Sequence, residues 1–231
     1  LSFLQNTLGN WNSKASYTQV IPKYFESKAV TESINTPDKT NAVLFGALNI
    51  NISRRHPDYP AVLLANDMLG GGAFLSSRIP QRLREKEGMS YGAGSYINVS
   101  PKFETGTWGV YAFYNPLYKG RIDTAMNQEI DKALASGFSA EELKLAIGAF
   151  NEQMKATLGS NDNLNGLLHG YMLSDRTLDE YKTFESRVKA LTPEQVNNAL
   201  RKYFSKSKLV LIYGGDFEKG KTDKAGDKKG F

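Results

Sequence analysis

Two side chains that could act in one reaction, Arg84 and Tyr91, stand seven residues apart on either side of Gly88. The sequence before Gly88 is typical of a helix and the sequence after it of a strand, so the glycine would turn the chain between them. If both side chains point into one cleft, Arg84 can donate hydrogen bonds to a carbonyl or carboxylate, and Tyr91 can donate its phenol proton to an oxyanion. Gly92 and Gly94, expected on the opposite face of the strand from Tyr91, would leave room for a close neighbour.

The same pair has a purely structural explanation. An arginine in the last turn of a helix is stabilised by the negative carbonyls at the helix end, which accounts for Arg84. An aromatic side chain in a strand can simply cover the core, which accounts for Tyr91. Spacing alone leaves both alternatives open.

A run of three glycines, Gly70, Gly71 and Gly72, follows a predicted helix. It lacks the Gly-Lys-Ser/Thr ending of a phosphate loop, and it does not follow a strand. It is either a flexible end of the helix or a mobile loop that lets a peptide backbone come close. On the second alternative, the three glycines and Arg84 are the candidate substrate-binding residues.

Metal ligands and activated nucleophiles are scarce in this sequence. It contains no cysteine, and its two histidines, His56 and His169, are far apart. Neither His-x-x-x-His nor its inverted form occurs, and there is no Gly-x-Ser-x-Gly elbow. We therefore expect no metal or other cofactor on this chain, a loop position for His56, and a packed or capping role on a helix for His169.

The hydrophobic pattern alternates between strands and helices. Strands are predicted at 31–35, 41–50, 90–100, 106–114 and 208–215, and helices at 57–69, 76–87, 118–137 and after the N-cap residues Ser139, Thr177 and Thr192. The first two strands flank the turn sequence TPDKT and are predicted to form an antiparallel pair. Glu142 and Glu180 complete the capping-box spacing of the first two of these N-cap residues. This order predicts an α+β fold, an antiparallel sheet covered by helices on one face.

Composition limits the remaining possibilities. The 231 residues are 40% hydrophobic, enough for one core, and carry a formal net charge of +5. We predict a linker or the end of a preceding segment at 1–19, one domain at 20–215 and a disordered basic tail at 216–231. The sequence has neither the basic and aromatic pattern of a nucleic-acid-binding protein nor an apolar run long enough to span a membrane.

The run LGGGAFLSSRIPQRLREKEGMSYGAGSY, residues 69–96, resembles the insulinase, pitrilysin and mitochondrial-processing-peptidase family of zinc metallopeptidases. The matching features are the Leu-Gly-Gly-Gly turn, Ser-Ser-Arg, and Leu-Arg-Glu-Lys-x-Gly-x-x-Tyr. They are similar to the second-half, C-terminal domain of that family, and the similarity extends over about residues 20–215.

The resemblance implies a partner. Family members close two similar domains around a peptide, and one domain carries zinc on His-x-x-Glu-His, a motif that this sequence lacks. The other domain supplies an arginine and a tyrosine seven residues apart, matched here by Arg84 and Tyr91. In the family the tyrosine stabilises the oxyanion and the arginine holds a substrate carbonyl. The chain is thus expected to complement a zinc-bearing homologous domain or subunit in a metalloendopeptidase acting on peptides, and to be inactive alone.

Three alternatives accompany this expectation. Some members of the family have lost catalysis, so the chain could be a scaffold or a peptide-binding subunit. A homodimer of the domain is a second possible assembly. The cellular address expected from bacterial relatives is the periplasm or cell envelope, with the cytoplasm as the alternative.

Overall fold

The structure, a computed structural model, describes residues 1–72 and 77–218 and is built on a five-stranded sheet. The strands are β1 (Val30–Asn35), β2 (Ala42–Ile50), β3 (Ser90–Val99), β4 (Gly106–Tyr114) and β5 (Val210–Gly215). They lie side by side in the order β1-β5-β2-β4-β3. All five agree with the predicted strands to within two residues at either end.

The pairing of the first two strands was predicted wrongly. β1 and β2 are not neighbours, because β5 lies between them, parallel to β1 and antiparallel to β2. The exposure of the two strands explains why β1, and not β5, lies at the edge of the sheet. β1 reads VTESIN and is exposed along its whole length, which suits an edge, whereas β5 reads VLIYGG and is partly buried. The other neighbours, β2 with β4 and β4 with β3, are antiparallel as predicted.

The helices are α1 (Ser2–Leu8), α2 (Tyr59–Asn66), α3 (Arg78–Pro80), α4 (Lys119–Ser136), α5 (Ala140–Gly159), α6 (Asn161–Leu173), α7 (Leu178–Lys189) and α8 (Pro193–Tyr203). A turn at Asp67–Gly71, in which Gly70 leaves the helical conformation with φ 178°, continues α2, and a π-helical turn, Gln81–Lys86, continues α3. Short 3-10 turns lie at Pro116–Tyr118 and Lys206–Lys208. Ser77 occupies the N-cap position of α3.

Helices pack against one face of the sheet, which confirms the α+β class. Along β2 every second residue is buried, as a half-covered strand requires, while Phe45 on the opposite face is 46% exposed. Trp108 of β4 is fully buried and meets Phe204, at the end of α8, edge to face with ring centroids 5.0 Å apart. The uncovered face of the sheet carries the aromatic side chains described below.

The capping box predicted for α5 is complete, whereas the one predicted for α7 is only half formed. Ser139 and Glu142 form the full capping box of α5. At α7 only half of the predicted box exists: Thr177 accepts the N–H of Glu180, but the Glu180 carboxylate accepts hydrogen bonds from Arg176 and Arg55 instead. Because Arg176 and Arg55 bind the Glu180 carboxylate, it does not accept the backbone N–H of Thr177, which is the missing half of the box.

The two ends of the described chain differ. Residues 1–19 are exposed throughout and include α1. At the other end Asp216 is buried and accepts the backbone N–H of Asp38, and the N–H of Phe217 donates to Asn35. Contacts with the fold thus extend to residues 216 and 217, the first two residues of the predicted tail 216–231. Residues 219–231 of that tail lie outside the described residues.

No helix among the described residues is both long enough and apolar enough to cross a membrane.

Candidate functional site at the start of strand β3

The turn between Arg84 and Tyr91 is fixed by backbone hydrogen bonds. The N–H of Gly88 donates to the carbonyl of Arg84 at 3.2 Å, and the N–H of Met89 donates to Leu83 at 2.9 Å. Gly88 has φ 59°, the left-handed conformation in which glycine ends helices at little cost. Leu83 is fully buried and anchors the helical side of the turn. The predicted helix end is therefore correct, and it holds both candidate residues on a fixed backbone.

Arg84 is the most available of the three arginines in this helical segment. Arg78 is 13% exposed and bound to Glu142, and Arg82 is 35% exposed and paired with Glu87. The side chain of Arg84 is 54% exposed, and its one ion pair among the described residues is with its neighbour Glu85 at 3.4 Å. Because such surface pairs are weak, the guanidinium can donate to a ligand.

Tyr91 and Gly92 lie on the same face of β3, although they were predicted on opposite faces. Ser90 pairs with Tyr114 and Gly92 with Phe113, so Tyr91 is the extra residue of a β-bulge. Its ring stacks on Phe113, with centroids 5.8 Å apart and planes 21° apart. A Cβ on Gly92 would also meet Phe113, at 3.5 Å, which places Tyr91 and Gly92 on the same side of the strand. The expectation that Gly92 and Gly94 lie opposite Tyr91 was wrong, because the bulge interrupts the alternation.

The phenol group of Tyr91 is open to solvent. The residue is 63% exposed, and within residues 1–72 and 77–218 its hydroxyl has no hydrogen-bond partner. A donor without a partner, carried on a stacked ring, is available to an incoming oxyanion. Its neighbours Phe45 and Tyr111 extend the aromatic surface, since each meets Phe113 at 5.8 Å between ring centroids.

The triple glycine packs against the same strand. A Cβ on Gly70 would stand 2.6 Å from the backbone nitrogen of Ser95, and one on Gly94 would stand 2.5 Å from the carbonyl oxygen of Gly70. The backbone that comes close to Gly70 is therefore that of β3 itself. Gly70 is buried, whereas Gly71 is exposed and Gly72 is half-buried. Substrate binding by the three glycines stays a prediction, and the following residues 73–76 lie outside the described part.

A half-buried carboxyl group, that of Asp67, lies at the base of this glycine turn. Burial raises the pKa of Asp67 from 3.8 to about 6, and a hydrogen bond from Asn66 opposes the rise only in part. Asn66 itself is buried and accepts, through its backbone carbonyl, the hydroxyl of Ser95 at 3.0 Å. The turn therefore starts at a group that titrates near neutral pH.

Arg78 is a site-supporting residue that spacing analysis missed. Its guanidinium donates to Glu142 at 2.7 and 2.9 Å and to the carbonyl of Gly137 at 2.7 Å, and it lies 4.6 Å from the ring centroid of Phe138. Burial alone would raise the pKa of Glu142, but the hydrogen bonds from Arg78 and Ser139 outweigh it and lower that pKa. Arg78 thereby ties the segment that carries Arg84 to α4 and α5. The sequence signal that could have identified it is the Ser-Ser-Arg motif of the family signature, in which Arg78 is the arginine.

Among the described residues, neither histidine belongs to a group that could hold a metal ion. His56 accepts the backbone N–H of Asp58 through Nδ1 at 3.0 Å, in the predicted loop. His169 lies on α6 as predicted, but it is exposed, so the packed role was wrong. Within the described ranges no three His, Asp or Glu side chains are grouped to hold a metal ion, so zinc does not fit the residues that this part of the chain provides.

Comparison with known proteins now places the chain. Residues 1–150 match the family described as the peptidase M16 inactive domain. The chain belongs to this family. The match confirms the resemblance to the zinc metallopeptidases drawn from residues 69–96, in the form of their non-zinc domain.

Three relatives show the extent of the similarity. An uncharacterized zinc protease of Streptomyces coelicolor is 27% identical over 157 residues, which are 67% of this chain and 33% of that protein. An M16 inactive domain from Pseudomonas fluorescens has a TM-score of 0.76 at 26% identity, over 87% of this chain and 47% of that one. The periplasmic protease PqqL from Escherichia coli shares the fold, with a TM-score of 0.65 at 18% identity, over 92% of this chain and 23% of that one. The chain thus spans less than half of each of these three relatives.

Proposed function

We propose that this chain is the complementing, non-zinc half of a zinc metalloendopeptidase that cleaves peptides, and that it is inactive alone. The observation that carries the proposal is the state of Arg84 and Tyr91. Both are exposed, both keep hydrogen-bond donors that no other described residue occupies, and the hydrogen-bonded turn at Gly88 joins the segments that carry them. If Arg84 and Tyr91 had only a structural role, their donor groups would be expected to form hydrogen bonds with other residues of the domain.

The partner is a zinc-bearing homologous domain, on the same polypeptide or on a separate subunit. Two findings support it: the family is described as an inactive domain, and the chain covers only part of the zinc protease that it resembles. In that assembly the partner's zinc would supply an activated water. A homodimer would join two halves that both lack His-x-x-Glu-His, so we expect it to be inactive.

Each residue of the pair has its own task. Tyr91 donates its phenol O–H to the oxyanion that forms as water attacks the peptide carbonyl. Arg84 donates from its guanidinium to a backbone carbonyl of the substrate, which positions the peptide. Gly71 and Gly72 follow Gly70 in the glycine turn that packs against β3, and their backbone is proposed to contact the peptide.

The test is a mixture of this chain with its zinc-bearing half, assayed by cleavage of a quenched fluorescent peptide. Tyr91→Phe removes one oxyanion donor, so kcat should fall about 100- to 1,000-fold with little change in KM. Tyr17→Phe, a phenol that is 85% exposed in the N-terminal segment, is the control and should leave kcat unchanged. Unchanged turnover of Tyr91→Phe would overturn the proposed role.

A peptide-binding subunit without catalytic function is the second candidate. The exposed aromatic surface favours it, because Phe45 and Tyr91 offer apolar contacts that an extended peptide could use. The same assay separates the two functions. A pure binding subunit would retain peptide affinity after Tyr91→Phe and would show no effect on turnover by the partner.

For the cellular address we propose the periplasm or cell envelope. The support is the shared fold with PqqL, described as a periplasmic protease, and a sequence without cysteines fits either compartment. Fractionation of cells that express the full-length protein, probed with an antibody against this chain, tests the address. Recovery in the cytoplasmic fraction would exclude it.

A further inference from the structure

The bulge at Tyr91 decides where its phenol points. In an unbroken strand, side chains alternate between the two faces, so Tyr91 would point to the face opposite Gly92. That face is the core face, where Ser90 pairs with the buried Tyr114. The register shift between Ser90 and Gly92 turns Tyr91 to the open face instead. Without the bulge, the candidate donor would not reach a substrate.

One buried hydroxyl closes this bulge. Ser90 is 6% exposed, and its Oγ lies 2.7 Å from the carbonyl oxygen of Phe113 and 2.8 Å from that of Gly92. The same oxygen accepts the N–H of Gly92 at 3.2 Å. A hydroxyl has one proton and two lone pairs, so it can donate to one of the two carbonyls at a time and still accept the amide N–H. It thereby links the bulge to the neighbouring strand β4 at the point where the register shifts.

Phe113 then fixes the ring of Tyr91. The two rings are nearly parallel, and Phe113 is held in turn by Phe45, edge to face, and by Tyr111. Aromatic pairs at such distances contribute about 0.5–1.5 kcal/mol beyond the area that they bury. Since the hydroxyl of Tyr91 has no partner among the described residues, the ring contact and the bulge are what restrict its direction.

We propose that Ser90 and Phe113 are positioning residues for Tyr91: the Ser90 hydroxyl holds the bulge that turns the tyrosine outward, and the Phe113 ring fixes its plane. Neither residue touches the substrate. Both act on the reaction by keeping the phenol where the oxyanion develops, and this rests on the catalytic role proposed for Tyr91. Preorganised donors are effective because they need no reorientation during the reaction.

The test is a double-mutant cycle on kcat in the reconstituted pair. Ser90→Ala and Phe113→Leu should each lower kcat by about 10-fold or more and leave KM nearly unchanged, since the donor is still present but misdirected. In the Tyr91→Phe background the same two changes should have no further effect, because the group on which they act is already gone. Equal losses in both backgrounds would show a general structural role and overturn the proposal.

Two control variants separate the outcomes. Ser174→Ala removes another buried hydroxyl, which donates to the carbonyl of Gly170 at 2.6 Å at the end of α6, and should leave kcat unchanged. Phe113→Tyr keeps an aromatic ring and should restore the kcat that is lost with leucine.

If Ser90→Ala does not fold, the variants of the half-buried Phe113 still test the positioning role. A normal kcat for Tyr91→Phe alone refutes the catalytic role, whereas a low kcat for Tyr91→Phe with a normal kcat for Phe113→Leu and Ser90→Ala refutes only the positioning role.

Discussion

Arg78 and Glu142 form a two-pronged ion pair, at 2.7 and 2.9 Å, across sixty-four positions of sequence. It joins the segment that carries Arg84 to the first turn of α5, and the Arg78 side chain is only 13% exposed. Removing one partner of a largely buried pair leaves the other group without compensation.

Arg78→Gln should therefore lower the free energy of unfolding by about 2–4 kcal/mol, measured by urea denaturation. Arg121→Gln is the control, because the ion pair of Arg121 with Glu87 spans 3.4 Å and the Arg121 side chain is 59% exposed, so its loss should cost less than about 1 kcal/mol. Equal stability of the two variants would refute the anchoring role of Arg78.

Arg84→Lys tests whether the planar shape of the guanidinium, and not only its positive charge, is needed at this position. Lysine keeps the positive charge but loses the planar fork that can bind a carbonyl through two N–H groups. If Arg84 positions the peptide, KM should rise about 10-fold while kcat changes little, since the contact is present before and during reaction. The free energy of unfolding should stay within about 0.5 kcal/mol, because the side chain is 54% exposed and pairs only weakly with Glu85. An unchanged KM would contradict this role.

Gly94→Ala tests the contact between the glycine turn and β3. The new Cβ would lie 2.5 Å from the backbone oxygen of Gly70, which cannot rotate away, so we expect a loss of about 1–3 kcal/mol in the free energy of unfolding. Gly92→Ala is the matched control on the same strand, because its Cβ would meet only a ring carbon of Phe113, at 3.5 Å. A Gly94→Ala variant as stable as Gly92→Ala would show that the turn does not press on the strand.

The sequence predicts those features that depend on neighbouring residues. The helix end at Gly88 follows from the conformational freedom of one glycine, and Ser139 and Glu142 stand three positions apart. The position of β5 between β1 and β2 could not be predicted in this way, because it depends on which of two distant strands buries more apolar surface.

The candidate site could likewise be predicted only where it depends on residues that are close in sequence. The types and spacing of Arg84 and Tyr91 are visible in the sequence, but the direction of Tyr91 depends on a register shift against β4, a distant strand pairing that spacing does not reveal. The partner of Arg78 was equally hidden, since nothing in the spacing connects it with Glu142.

Asp67→Asn should stabilise the protein at neutral pH and not at acidic pH. Burial raises the pKa of Asp67 to about 6 in the folded chain, against 3.8 in the unfolded one, so the folded state binds the proton more tightly. Stability from this group is therefore fully present below about pH 4, falls as the pH rises to about 6, and stays low above that. A shift of about two units corresponds to at most about 3 kcal/mol. Urea denaturation from pH 4.5 to 7.5 should show the advantage of Asp67→Asn growing with pH, whereas Glu32→Gln, on the exposed strand β1, should show none. An advantage that is equal at both ends of this pH range would refute the buried titration.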